Sequence, residues 1–446
     1  MKGHLYNAAY GVLDYVSYPL GMLLVAPIVL HRLGAAEYGL WTIATAVVSA
    51  GGIIASGFSD ANIQRVARLR STGNTNSMLH VVRSMLGINL VLGTVLAIVV
   101  AVSAPLAARR ITMAHPAQYS ECIATLRIAS TLVLVRAFES VCVSTQRAFE
   151  QYRDSVQINT AVRLGTLGTA AILALLGHQI ASILLATAVF LTAGTYLQFR
   201  HARRLLGGAA YLWPRFQSEE TRSLLSIGVF TWIQALGGVV FSQFDRLLLG
   251  VSLGASTVAP YSLCVQFSQP IFGLTASGLQ SLFPYLSVRV ETLSAAEVKR
   301  TLAKAFLCNL LLVSCGAGLL LWMGGRLIHM WAGPEVAAEA VRILPPIVLG
   351  SALMGLSVTG SYAMAAFGLF RTITVLNLST RGMMLLLMTY LMHRNGLEGL
   401  ATARMFYGAC ALLLYFPLLR RLDAGSKVSS PVSIPGAFEV EEASKP

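Results

Sequence analysis

The chain has 446 residues, of which 55% are hydrophobic and only 12% are charged, against about 25% charged residues in a typical soluble domain. This composition argues against a soluble cytoplasmic enzyme. A membrane-crossing helix needs about 20 consecutive apolar residues, so the chain holds material for roughly a dozen spans. The short connections leave no room for a second globular domain of about 50 residues or more. The sequence therefore predicts a polytopic membrane protein.

The net charge of +14 at pH 7 would suggest nucleic-acid binding in a soluble protein, but here many basic residues are topology signals. The six cysteines lie mostly in apolar stretches and lack the C-x-x-C spacing of a zinc site. No phosphate-binding loop or metal-protease motif is present. We therefore expect no cofactor, no metal site and no nucleic-acid partner.

The apolar runs are continuous, whereas the strands of a membrane β-barrel alternate apolar and polar residues, so we predict an all-α fold with about 12 transmembrane helices. In chain order, the predicted spans are 7–31, 38–60, 78–104, 121–145, 154–177, 179–200, 223–250, 257–287, 300–324, 338–366, 370–393 and 397–420.

Basic residues concentrate in alternate connections. One set of connections holds Arg65, Arg68, Arg70, Arg147, Arg153, Arg200, Arg203, Arg204, Arg215, Arg222, Arg289, Lys299, Arg300, Lys304, Arg371, Arg420 and Arg421, and the other holds few basic residues. The positive-inside rule then places both termini in the cytoplasm.

The two halves of the chain resemble each other. At an offset of 220, Leu33-Gly34-Ala35 falls on Leu253-Gly254-Ala255 and Asn89 falls on Asn309; at 218, Ala148, Phe149, Arg153, Asn159 and Arg163 fall on Ala366, Phe367, Arg371, Asn377 and Arg381. This pattern predicts two six-helix bundles, residues 1–205 and 223–422, related as parallel repeats around a central cavity. Residues 206–222 form a basic cytoplasmic linker between them, and residues 423–446 form a disordered tail.

Charged residues inside the predicted spans are the most informative feature, because an arginine at mid-bilayer costs about 2.5 to 3.5 kcal/mol. They are Arg83, Arg127, Arg136, Arg163, Arg246, Arg381 and Arg404, with the acids Asp14, Asp60, Glu139 and Asp245. Arg83, Arg127 and Arg404 lie near span ends, so snorkelling to the headgroups is as good an explanation for them as a site.

For the other arginines, the alternatives to a binding role are different. Arg136 and Glu139 are three residues apart, which favours an ion pair within one helix. Asp245 and Arg246 are adjacent and point about 100° apart, so each needs its own partner. Arg163 and Arg381 lie deep in their spans at matching repeat positions. They could bind a phosphate-bearing ligand, because a guanidinium group suits phosphate oxygens, or they could serve helix packing.

The candidate substrate-binding arginines are therefore Arg163, Arg381, Arg246, Arg136 and Arg83. The candidate cavity acids, which could couple transport to a proton or sodium gradient, are Asp14, Asp245 and Asp60. For Asp60 we favour the simpler interpretation that it ends its helix near the cytoplasmic interface.

The segment VLHRLGAAEYGLW from Val29 to Trp41, the basic stretch IQRVARLR from Ile63 to Arg70, and FDRLLLGVSLGASTVAPYS from Phe244 to Ser262 resemble a known family. It is the polysaccharide-transporter branch of the multidrug/oligosaccharidyl-lipid/polysaccharide flippase superfamily, which includes the O-antigen flippases. The resemblance covers nearly the whole chain in layout, although its motifs are diffuse.

The resemblance implies alternating access through a cationic cavity, which would carry undecaprenyl-diphosphate-linked oligosaccharide, an O-antigen or exopolysaccharide repeat unit, across the bacterial inner membrane. Expected partners are this lipid-linked substrate, membrane lipid, a polysaccharide polymerase and a chain-length regulator. One alternative is a cation-coupled multidrug antiporter of the same superfamily, which would favour acidic cavity residues. Another is a membrane enzyme or a scaffold of polysaccharide assembly.

Overall fold

The computed structural model describes residues 2–113, 115–208, 212–216, 243–279 and 295–423, with scattered residues between 222 and 239 and between 282 and 286. Only the backbone is described for residues 2–20, Ser71, Tyr152, Ala295, Phe370 and Asp423. The side chain of Asp14 and the predicted disordered tail after Asp423 therefore lie outside the described residues.

The regular elements of the described ranges are helices, as predicted. In chain order they are α1 (Lys2–Ser56), α2 (Ser59–Ser71), α3 (Thr75–Ile111), α4 (Tyr119–Ala148), α5 (Tyr152–Leu175), α6 (Ile180–Leu205), α7 (Phe244–Leu253), α8 (Ala255–Gly278), α9 (Ala295–Ala366), α10 (Phe370–Ala411) and α11 (Tyr415–Asp423). Short 3₁₀ turns at Pro116–Gln118 and Leu412–Leu414 precede α4 and α11.

Six continuous segments of the described residues are long and apolar enough to cross a membrane. Two of them, Ala296–Ala366 and Arg371–Leu422, have 71 and 52 residues, and each contains two predicted spans. The fold class is therefore an all-α polytopic membrane protein, and its α-helices satisfy their backbone hydrogen bonds internally, as lipid requires.

Glycines interrupt the long helices where the sequence predicts connections between spans. Gly34 breaks α1 (φ 86°, ψ 172°), Gly254 separates α7 from α8 (φ 93°, ψ 168°), and Gly333 breaks α9 (φ 76°, ψ 167°). This backbone region is essentially restricted to glycine. The same residue type and conformation therefore redirect the chain at three connections.

The predicted end of the second span, at Asp60, is four residues too late. The second span ends at Ser56, and Asp60 is exposed in the first turn of the separate helix α2, so it does not end the spanning helix as we expected. Arg68 and Arg70 lie in the last turn of α2. Acids at the start and bases at the end of a helix both complement its dipole, so this placement explains Asp60 without any role in a cavity.

Backbone conformations support the internal repeat. Gly34 and Gly254, related by the offset of 220, have nearly the same φ and ψ. Glu150 and Gly368, related by the offset of 218, both have positive φ, at 62° and 72°. Glu150 thus adopts a left-handed conformation at the position where the other half of the chain has a glycine.

Two asparagines at matching repeat positions make matching hydrogen bonds. The buried Asn89 side-chain nitrogen donates to the Ala137 carbonyl at 3.1 Å and to the Ser140 hydroxyl at 2.7 Å. The buried Asn309 nitrogen donates to the Gly355 carbonyl at 2.9 Å and to the Thr359 hydroxyl at 3.0 Å. Each asparagine therefore joins two antiparallel helical segments through one carbonyl and one hydroxyl a single turn apart.

The chain divides into two compact units. Unit 1 comprises residues 1–266, 325–343 and 388–400, and unit 2 comprises residues 267–324, 344–387 and 401–446. Apolar side chains around Val66, Val81 and Met85 form a core in unit 1, and those around Leu286, Met364 and Leu418 form a core in unit 2. The division into bundles 1–205 and 223–422 stays a prediction.

The conformation of Gly34 predicts a specific cost of substitution. An added Cβ at Gly34 or at the helical Gly168 meets no atom within 4 Å, so the two sites differ in backbone conformation rather than in space. We expect Gly34→Ala to lower the free energy of unfolding by about 1–3 kcal/mol and Gly168→Ala to leave it unchanged or raise it. Thermal unfolding of the two variants in detergent measures the difference, and equal stabilities would contradict the prediction.

Candidate functional site

The predicted site residues fall into both units. Arg83, Arg136, Arg163, Arg246 and Asp245 belong to unit 1, as does the backbone of Asp14, and Arg381 belongs to unit 2. Arg83 lies on α3 and Arg163 on α5, both half-buried. Arg127 is exposed, which agrees with the snorkelling alternative.

Arg136 and Glu139 form the predicted ion pair on α4. The Arg136 guanidinium donates to Oε2 of Glu139 at 2.7 Å, and the side chain of Glu139 is only 6% exposed. The prediction of an intrahelical pair is confirmed. Because the carboxylate balances its charge, Arg136 has less attraction left for a second anion than an arginine bonded to a neutral group.

Asp245 is a buried carboxylate whose hydrogen bonds the structure defines. It lies in the first turn of α7 and is 1% exposed. Its Oδ2 accepts from the hydroxyl of the fully buried Tyr261 at 2.5 Å, and its Oδ1 accepts from the backbone N–H of Arg246 at 2.8 Å. The sequence analysis expected Asp245 and Arg246 to have separate side-chain partners. Tyr261 is the partner of Asp245, and the sequence analysis did not identify it.

Arg246 follows Asp245 and is half-buried. Its Nε is buried and makes no hydrogen bond to any described residue. A buried donor without a partner costs about 1–3 kcal/mol, and a bound acceptor would recover that energy. Arg246 is therefore a stronger anion-binding candidate than its position next to an acid suggests.

In unit 2, two arginines of α10 interact with the hydroxyl group of Tyr407. Arg381 donates a side-chain hydrogen bond to the Tyr407 hydroxyl, and the charge of Arg404 also acts on that hydroxyl. Arg404 is 8% exposed, so its side chain is packed within the protein and does not snorkel. Two guanidinium groups thus interact with the Tyr407 hydroxyl. Sequence analysis listed neither Arg404 nor Tyr407 among the site residues.

Three connections of unit 1 meet around Glu37, in the connection between the first two predicted spans. Its Oε1 accepts from the side-chain nitrogen of Gln118 at 3.1 Å. Its carboxyl group also shares a hydrogen bond with that of Glu121, and the backbone of Ile180, at the start of α6, bonds to it. The connections after the first, third and fifth spans therefore lie at one end of unit 1, as alternating topology requires.

The Glu37 carboxyl group holds a proton more tightly than an ordinary glutamate. Burial, then the negative charge of Glu121, then the hydrogen bond to Glu121 raise the pKa of Glu37 to about 7, against the opposing effect of the Ile180 backbone. Two carboxyl groups can share a hydrogen bond only if one of them carries a proton. The pair is therefore stable when protonated once.

This proton links stability to pH. Because the pKa of Glu37 is higher in the folded state, its stabilising effect is fully present below about pH 4.5 and is lost as the pH rises through about 7. We expect the unfolding temperature of the wild type to fall between pH 5 and pH 8 by more than that of Glu37→Gln, whose amide stays neutral. The exposed Glu335→Gln serves as control, and identical pH profiles for all three proteins would refute the shared proton.

Tyr261 should stabilise the buried charge of Asp245. Replacement by phenylalanine removes the O–H donor and leaves Oδ2 of the carboxylate without that bond, so we expect Tyr261→Phe to lower the free energy of unfolding by about 1–3 kcal/mol. The exposed Tyr390→Phe is the matched control. Denaturant unfolding measures both, and a neutral Tyr261→Phe would show that this hydrogen bond contributes little.

Comparison with known proteins gives a family match and a curated relative. The family model described as "Polysaccharide biosynthesis protein" matches residues 7–289. The uncharacterized membrane protein EpsK of Bacillus subtilis is 25% identical over 175 residues, which are 39% of this chain and 34% of EpsK. The match thus spans about a third of the length of that curated relative.

Solved structures share the fold over nearly the full length. An inward-facing multidrug resistance MATE family transporter of the MOP superfamily has a TM-score of 0.73 at 14% identity, covering 94% of this chain and 99% of that one. The lipid II flippase MurJ, in an inward closed conformation, has a TM-score of 0.74 at 15% identity, covering 94% of this chain and 90% of that one. At these identities the likeness shows a common fold.

Proposed function

Because the chain belongs to the polysaccharide biosynthesis protein family, we propose that it is a flippase for undecaprenyl-diphosphate-linked oligosaccharide, an O-antigen or exopolysaccharide repeat unit. It moves this molecule from the cytoplasmic to the periplasmic leaflet by alternating access. The fold shared with a lipid II flippase supports the proposal. The fold shared with a multidrug transporter keeps the cation antiporter as the alternative.

The observation that carries the proposal is the cluster of Arg381, Arg404 and Tyr407 in unit 2. Passage of a diphosphate through hydrocarbon requires compensation of at least two negative charges, since isolated charges are expensive there. Arginine side chains present planar sets of donors that match phosphate oxygens. A lipophilic cation would instead be repelled by such a cluster, which favours the flippase over the antiporter.

The remaining site residues take different roles in this proposal. Arg163 and Arg246 in unit 1 are further candidate donors for phosphate oxygens. We assign ion coupling first to Asp245, because it is a buried acid whose carboxylate oxygens accept from the Tyr261 hydroxyl and a backbone N–H. Asp14 is a second candidate, and Asp60 is not, because its exposure at a helix start gives it a sufficient structural role.

The proposal also includes a membrane location, an orientation and protein partners. The protein lies in the bacterial inner membrane with both termini in the cytoplasm, according to the distribution of basic residues. It acts together with a polysaccharide polymerase and a chain-length regulator, which would consume the flipped repeat units. Reporter fusions at Lys427 and in the connection around Arg109 test the orientation, and equal cytoplasmic signals from the two would contradict it.

Substitution of Arg381 tests the phosphate contact. Arg381→Lys keeps the charge and loses the planar donor set, whereas Arg381→Gln loses both, so we expect transport to fall by about tenfold or more in Gln and less in Lys. Arg394→Gln is the control on the same helix, because Arg394 is exposed and lies over the Tyr390 ring at 5.1 Å. Tyr407→Phe keeps both guanidinium groups and removes the hydroxyl that Arg381 contacts. It therefore separates an effect of lost packing at this contact from an effect of lost positive charge.

The measurement is flipping of a labelled lipid-linked oligosaccharide by purified protein in liposomes, with protein levels held equal. The double variant Arg163→Gln, Arg381→Gln should lose more activity than either single variant. Wild-type rates in the double variant would show that these arginines serve packing. Export of a lipophilic cation by the same liposomes, without flipping of the oligosaccharide lipid, would favour the antiporter.

A further inference from the structure

A groove in unit 2 lies between the first turns of α10 and the end of the described chain. Its volume is about 660 Å³, and its lining includes Arg371 and Val375 of α10 with Leu413, Phe416 and Pro417. This volume lies within the range of pockets that hold drug-sized ligands. Apart from Arg371 and Thr372, the groove is lined by apolar residues.

The groove and the core of unit 2 lie on opposite faces of the last described helical segment. Leu414, Leu418 and Leu422 follow one another at intervals of four residues and are buried in the core. Leu413 and Phe416, on the other face, are 52% and 59% exposed and line the groove. The groove is therefore formed by the outward face of an amphipathic segment and is not a packing gap within the core.

Two positively charged side chains lie at the groove. Arg371 lies in the first turn of α10 and lines the groove directly. The guanidinium carbon of Arg420 lies 4.1 Å from the centre of the Phe416 ring, which is part of the lining. Two guanidinium groups thus lie beside an apolar slot, and both belong to connections in which the sequence concentrates basic residues.

We propose that this groove binds an anionic phospholipid of the cytoplasmic leaflet. Its phosphate contacts Arg371 and Arg420, and an acyl chain occupies the slot along Val375, Leu413 and Phe416. Basic pockets between membrane helices on the cytoplasmic side are suited to anionic headgroups. A polyprenyl chain is several times longer than an acyl chain and exceeds a groove of this size, so the phospholipid is the better match. The inference does not depend on which molecule the protein transports.

The test is retention of lipid by the purified full-length protein. The protein is incubated with dioleoyl phosphatidylglycerol or dioleoyl phosphatidylcholine, and native mass spectrometry detects bound lipid. We expect the wild type to retain phosphatidylglycerol preferentially. Removal of one guanidinium should weaken binding about fivefold, so Arg371→Gln, Arg420→Gln should lose most of the bound lipid.

A second set of variants separates the groove from charge alone. Leu413→Trp fills the slot and keeps both arginines, and it should also reduce retention; Val375→Trp replaces it if Leu413→Trp fails to fold. Arg326→Gln, Arg394→Gln removes the same charge from two exposed arginines elsewhere and should retain lipid like the wild type.

The proposal would be overturned by equal retention of the two phospholipids, by retention unchanged in the groove variants, or by equal loss in the control. Preferential binding of a polyprenyl diphosphate lipid in the groove would also overturn it, because the groove would then serve the transported molecule.

Discussion

A chain inside hydrocarbon must satisfy every backbone N–H and C=O within the protein, and the rest of this structure depends on that requirement. Helices meet it along their length, so the chain turns in the connections between spans, outside the hydrocarbon. Gly34, Gly254 and Gly333 provide such turns through a backbone conformation that other residues rarely adopt. The long helices are then free to pack against each other through side chains.

Several buried polar side chains of the described residues bond to neutral groups. Asn89 and Asn309 bond to carbonyl and hydroxyl groups, Asp245 to a phenol, and Arg381 to another phenol. A neutral partner stabilises a buried charge without cancelling it. Arg136 differs, because Glu139 does cancel its charge.

Local patterns made much of the fold predictable from the sequence. Apolar runs and glycines gave the breaks at Gly34, Gly333 and Gly396, and a spacing of three residues gave the Arg136–Glu139 pair. The start of α2 at Ser59 was missed, because hydropathy does not separate the end of a span from an adjoining amphipathic helix. Contacts between distant segments were also missed. Tyr261, Tyr407 and the Glu37–Glu121 pair depend on tertiary packing, and an uncharged phenol in an apolar run gives no signal by itself.

The cluster of Arg381, Arg404 and Tyr407 has a consequence for the kinetics of transport. Guanidinium groups stay protonated under all physiological conditions, so the positive charge offered to a ligand by these arginines is constant between pH 5 and 8. A pH dependence of the turnover rate then reports groups other than these arginines, such as a carboxylate or the phosphate of the ligand. The transport rate can therefore be measured against pH at saturating and at low ligand concentration. The comparison separates proton coupling by a carboxylate from recognition of the ligand by these arginines.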